Sequence, residues 1–233
     1  MPRKERRTTA REVLAELRAN QAGPGDLAGM ARFGIVGKGR LGIRIPVLRA
    51  MAKHIGPDHA LALALWDTDV PDARILASLL ADPARLTVRG MDAWVRDFDS
   101  WDVCDQVCLN LFCRSPRAWG RVAAWTARDG EFVRRAGFAL IACLATHDRE
   151  SPDSRFAALL PRIEAASTDG RNFVKKSVNW ALRGIGKRNA ALNRAASASA
   201  RRIAGMDSKS SRWIASDALR ELESAAVRAR LEV

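Results

Sequence analysis

The chain has 233 residues, 48% of them hydrophobic and 28% charged, which fits a folded globular protein and excludes a disordered one. Its formal net charge of +13 and pI of about 10.8 point to a polyanionic partner, although an Ala- and Arg-rich composition contributes to the same bias. The longest apolar stretches, around Ala60–Trp66 and Ala139–Ala145, are too short to cross a bilayer, and the first twenty residues lack the apolar core of a secretory signal. Cys104, Cys108, Cys113 and Cys143 form no Cys-x-x-Cys pair, and His54, His59 and His147 supply no zinc spacing. The expectation is a cytoplasmic, reduced protein with no metal and no cofactor.

Apolar residues recur at three and four positions almost throughout, as in Val13-Leu14-Leu17 and Ile75-Leu76-Leu79-Leu80, and no segment alternates as a strand would. Residues 1–10 form a basic arm free to be flexible. The only Gly-dense stretch runs from Gly34 to Pro46. Within it Gly37-Lys38-Gly39-Arg40-Leu41-Gly42 matches G-x-G-x-x-G, but no strand precedes it and no strand–helix alternation follows, so a dinucleotide site is rejected. A flexible basic loop is the better reading, with Lys38, Arg40 and Arg44 as candidate phosphate contacts.

Candidate inner helices then begin near Pro71, Trp101, Glu131, Asn172 and Ser211, at intervals of 30, 30, 41 and 39 residues. Each interval has room for two helices and a turn. Phe132-Val133-Arg134-Arg135-Ala136 returns 41 positions later as Phe173-Val174-Lys175-Lys176-Ser177. Repeats of this length built from helix pairs predict an all-α fold, an α-solenoid of HEAT-like antiparallel helix pairs with a concave basic cleft, as a single domain over residues 1–233.

Between Asp97 and Asp105, Asp99 or Ser100 suits an N-cap and Asp102 the first turn, so Asp97, Asp99 and Asp102 read as structural. Asp105 lies one turn beyond Trp101 and shares its face, with Val103, Val107, Leu109 and Leu111 left to fill the core. Such a carboxylate beside an indole can stabilise a developing cation; it can equally be a solvated Asp beside a core Trp. Arg134 and Arg135, like Lys175 and Lys176, fall in the first turn of a helix, where the dipole disfavours cations, so a stripe of phosphate contacts is expected. No acidic residue occurs between Asp169 and Asp207. There Lys176, Trp180, Arg183 and Lys187 make one helical face of a single sign, followed by Arg188, which favours a nucleic-acid surface over a solvated one.

WDVCD (Trp101 to Asp105), FVRRA (Phe132 to Ala136) and NFVKKSVNWALRGIG (Asn172 to Gly186), with GIRIPVLR (Gly42 to Arg49) and LALW (Leu63 to Trp66) before them, resemble the signature helices of the DNA alkylation repair enzyme family, the AlkD-type HEAT-like repeat DNA glycosylases. The resemblance implies a monomeric, metal-free glycosylase that excises cationic N3- and N7-alkylated purines from duplex DNA in base excision repair without full base flipping. Residue by residue, it implies that Asp105 is the catalytic carboxylate, that Trp101 and Trp180 pack against the lesion's backbone and sugar, and that Arg135 is the cleft arginine. Phe132 stands where many relatives have Trp, and the chain has no Tyr, which some members use nearer the N-terminus. Two other readings remain open: a non-catalytic HEAT-like protein recognising bent or branched DNA, and a helical-repeat scaffold for an acidic protein.

Overall fold

Helix boundaries follow the capping chemistry. A computed structural model describes residues 8–231. The basic arm expected over residues 1–10 lies outside the described residues for its first seven positions. Its end is already helical: Thr9 and Glu12 close a capping box on α1 (Ala10–Ala19), so Ala10 and Arg11 belong to that helix. α2 (Pro24–Arg32) and α3 (Ile45–Ile55) carry Pro in their first turns, and Gly56, with φ of 80°, ends α3. The Asp58 carboxylate accepts from Leu61 N at 3.0 Å to cap α4 (His59–Trp66), and Thr87 caps α6 (Val88–Arg96). α5 (Pro71–Leu80) and α7 (Trp101–Asn110) start at the residues where the sequence places them.

Two compact units emerge, divided between Leu111 and Phe112. In the first, α5 is the hub. It packs on α3, α4 and α7, and nearly all of its residues are buried. Trp66 and Trp94 stack face to face at 3.8 Å in this core, and the Trp66 indole donates to Asp97. Asp97 therefore holds a core Trp in place.

The second unit runs through α8 (Ala118–Thr126), α9 (Glu131–His147), α10 (Asp153–Ala157), α11 (Leu160–Ala166), α12 (Asn172–Gly186), α13 (Ala190–Ala204), α14 (Lys209–Leu222) and α15 (Ala225–Leu231). α14 begins two residues before the expected Ser211 because Ser208 caps it. The long helices α9 and α12 pack against each other, and two glycines allow close approach. A Cβ on Gly137 would sit 2.6 Å from the Thr126 backbone nitrogen of α8, and one on Gly184 would sit 3.2 Å from the Ala142 Cα of α9. Gly137→Ala is expected to destabilise the protein by about 2 kcal/mol in a urea melt, because overpacking against backbone outweighs the roughly 1 kcal/mol gain in helix propensity.

The described residues contain no strand, and none of their helices is long and apolar enough to cross a membrane. All four cysteines are buried and unbridged. Burial pushes the Cys113 thiol up to about 11.

Candidate nucleic-acid interface

The register of α7 decides which of its residues are buried. Val103, Cys104, Val107 and Cys108 form its buried face, and Leu111 just beyond the helix is buried as well. Leu109, expected in the core, is only half-buried. Trp101 and Asp105, one turn apart, lie at the border of that face, both half-buried. The Trp101 indole donates to the Phe33 carbonyl at 3.0 Å, which ties α7 to the loop after α2. Ser100 is the N-cap residue, but its hydroxyl donates to Asp102 instead of capping the helix.

That loop differs from the flexible one expected. Both oxygens of Asp72, a fully buried carboxylate, accept backbone N–H groups from it: Leu41 N at 2.7 Å and Ile43 N at 2.8 Å. Arg40 makes a two-pronged pair with Asp102 at 2.6 and 2.9 Å and also donates to Val36 O. Its side chain is only 8% exposed, so Arg40 is an internal anchor of the first unit. Gly37, at φ 131°, passes so near Pro71 that a Cβ would lie 2.9 Å from its ring. Lys38 and Arg44 remain exposed on the surface of this pinned loop.

In the second unit the two matched motifs meet. Phe132 and Phe173 stack at 5.5 Å, and Arg135, 4% exposed, donates to the Phe173 carbonyl at 2.6 Å. Arg134 faces Asp169 at 3.4 Å. Hydrogen bonds from Arg171, against a burial penalty and helped by the charges of Arg171 and Arg134, hold the Asp169 carboxyl below its ordinary pKa. The first-turn cations of α9 are thus engaged between helices, whereas Lys176 of α12 is exposed. Lys175 lies over the indole of Trp213 at 4.8 Å. Trp213 falls 40 positions after Phe173, so it occupies the aromatic place of the next repeat. The interval rule could have found it, but the first residue expected for that helix hid the register.

The single-signed face of α12 is balanced in space. Arg183 pairs with Asp217 and Glu221 of α14, and Lys187 reaches Glu221 at 2.6 Å. Burial alone would raise the Glu221 pKa; hydrogen bonds from Lys187 and Arg183 hold it below the ordinary value. The acid-free run ends at Asp207, and the counter-charges of Arg183 and Lys187 come from beyond it, on α14. Trp180, half-buried, lies one turn beyond Lys176. Arg188 turns inward. Its guanidinium bonds the Ala145 and Asp148 carbonyls at the end of α9 and lies 3.9 Å over Phe156, with a side chain 9% exposed. Trp101 and Asp105 therefore belong to the first unit, and Arg135 and Trp180 to the second.

The model of the DNA alkylation repair enzymes matches residues 13–222, which include every residue named above from α7, α9 and α12. The chain belongs to the DNA alkylation repair enzyme family. Among solved structures, it is similar to a member of a new family of proteins related to the HEAT-like repeat DNA glycosylases with affinity for branched DNA structures. The two share 20% identity over 96% of each chain, with a TM-score of 0.79. The fold of this family member is thus of the HEAT-like repeat kind. Comparison with curated proteins gives no match.

Proposed function

We propose that this family member is a DNA glycosylase that removes cationic N3- or N7-alkylated purines from duplex DNA. The observation that carries the reading is the pair Trp101 and Asp105, one turn apart on α7 and both only half-buried beside its core residues Val103, Cys104, Val107 and Cys108. Alkylation leaves the purine positively charged, so it departs with the electron pair of the C1′–N bond and needs no general acid. The sugar becomes an oxocarbenium ion. The Asp105 carboxylate stabilises that charge and orients the water whose oxygen closes on C1′, and the water's proton passes to the carboxylate or to solvent. Trp101 and Trp180 pack on deoxyribose, and Arg135, itself fixed by the Phe173 carbonyl, steadies the backbone-binding helices. We assign the exposed cations Lys38 and Arg44 of the first unit and Lys176 of the second to phosphate contacts with duplex DNA. We place the protein in the cytoplasm on the nucleoid, as a monomer acting without cofactor.

Lys176 is exposed, so it supplies the test of phosphate binding. Lys176→Ala is expected to weaken binding to all duplex sequences alike and to reduce the slope of log affinity against log salt by about one. Fluorescence anisotropy across a salt series measures both. Excision itself is tested by release of free alkylpurine from methylated duplex. The similar solved protein has affinity for branched DNA, and a second reading gives this chain the same grip without base removal. Binding to branched DNA with no released base would favour it.

A further inference from the structure

A cavity of about 420 Å3 opens beside α13 in the second unit, and the proposed chemistry makes no use of it. Its lining is Asn193, Arg194, Ser197 and Arg201 of α13, Glu223 at the end of α14 and Arg228 of α15. Asn193, Ser197 and Arg201 recur at every fourth position, so they share one face of the helix. Asn193 and Ser197 are buried and the three arginines are exposed, which gives the cavity a polar floor and a basic rim. The floor is fixed in place. The Asn193 amide donates to the Gly186 carbonyl at 3.0 Å and to the Leu222 carbonyl at 3.2 Å, tying together the ends of α12 and α14.

The lining is not balanced from within. Arg201 pairs with Glu223, whereas Arg194 and Arg228 make no ion pair among the described residues. Two positive charges are therefore left over the cavity. Beneath them Ser197, 5% exposed, has a buried hydroxyl with no hydrogen-bond partner. A buried helical serine ordinarily bonds back to the carbonyl of the preceding turn, as Ser177 does to Val174. A buried hydroxyl without a partner is costly unless an acceptor arrives. Two guanidinium groups and a spare hydroxyl donor match an anion with two charges and several oxygens. A carboxylate would leave one cation unanswered, and so would a phosphodiester inside a strand. A phosphomonoester, with a second pKa of about 6, is mostly doubly charged at pH 7. We propose that this cavity binds a terminal phosphate, the group shared by a free nucleotide and the phosphorylated end of a DNA strand. Arg194 and Arg228 donate to its oxygens from the rim and Ser197 from the floor. The cavity is of a size that takes a small organic ligand, which leaves room for the body that carries the phosphate. The site is independent of the glycosylase reading.

The test is calorimetric titration of the full chain with deoxyadenosine 5′-monophosphate, deoxyadenosine and inorganic phosphate. The wild type is expected to bind the monophosphate and not the nucleoside. Arg194→Gln and Arg228→Gln, both at exposed positions, should each weaken that binding about tenfold. Ser197→Ala removes a hydroxyl that has no partner, so it should unfold at an equal or higher urea concentration and still bind the monophosphate several-fold more weakly. That opposite movement of stability and affinity is one a merely structural serine would not show. Arg149→Gln takes an equal charge from an exposed position of the same unit outside the cavity and should change nothing. Inorganic phosphate binding as tightly as the monophosphate would assign the site to the phosphate alone. A 5′-phosphate that tightens binding of a short single strand in the wild type but not in Arg228→Gln would assign it to strand ends. Both outcomes support the site. No binding of either phosphate would overturn it, as would an equal loss in Arg149→Gln or unchanged affinity in Arg228→Gln.

Discussion

Asp105→Asn is expected to slow release of alkylpurine by about 10²–10³-fold while leaving duplex affinity unchanged or slightly tighter, a magnitude typical of removing one preorganised electrostatic stabiliser. The substitution keeps the size and planarity of the side chain and removes only its charge. Asp105 is half-buried and is not one of the core residues of α7, which are Val103, Cys104, Val107 and Cys108. Loss of a negative charge near phosphates can only favour binding. Single-turnover release from methylated duplex, with anisotropy for affinity and a thermal melt for integrity, separates the three effects. Excision at the wild-type rate would remove Asp105 from the chemistry.

Asp72→Ala should give the largest loss of stability, about 3–5 kcal/mol, because two charge-assisted hydrogen bonds vanish and two backbone donors are left in a buried position. Asp72 is 1% exposed, and Leu41 and Ile43, whose N–H groups it accepts, are buried too. Urea unfolding measures the cost, and a change below about 1 kcal/mol would show that the loop does not depend on this carboxylate. The same substitution should loosen the segment bearing Phe33 and Lys38, so its DNA affinity should fall even under conditions where the protein remains folded.

The helical architecture was legible because its signals are local. Pro71, Trp101, Glu131 and Asn172 open helices where interval and capping chemistry place them, and the 41-residue echo of FVRRA in FVKKS becomes a physical stack of Phe132 on Phe173. The face shared by Trp101 and Asp105 followed from helical spacing alone. What was not legible depends on partners far along the chain. Arg40 looks like a free loop cation until Asp102, 62 positions later, closes on it. Arg183 and Lys187 look unopposed until α14 brings Asp217 and Glu221 beside them. Arg188 reads as one more member of a basic run, although its guanidinium seals the end of α9. In each case the sequence shows the charge, and only the packing shows what neutralises it. Phe33 is exposed too, and apolar periodicity carries no mark that separates an exposed aromatic from a core one.

On the proposed function, the protein breaks the glycosidic bond of alkylated purines in DNA. The most direct measurement is chromatography of the free bases released when the wild-type protein is incubated with duplex DNA carrying N3-methyladenine and N7-methylguanine, beside an unmethylated duplex and a branched junction. Free alkylpurine and a matching number of abasic sites are expected from the methylated duplex only. No free base from the methylated duplex, with the protein still bound to the junction, would contradict it.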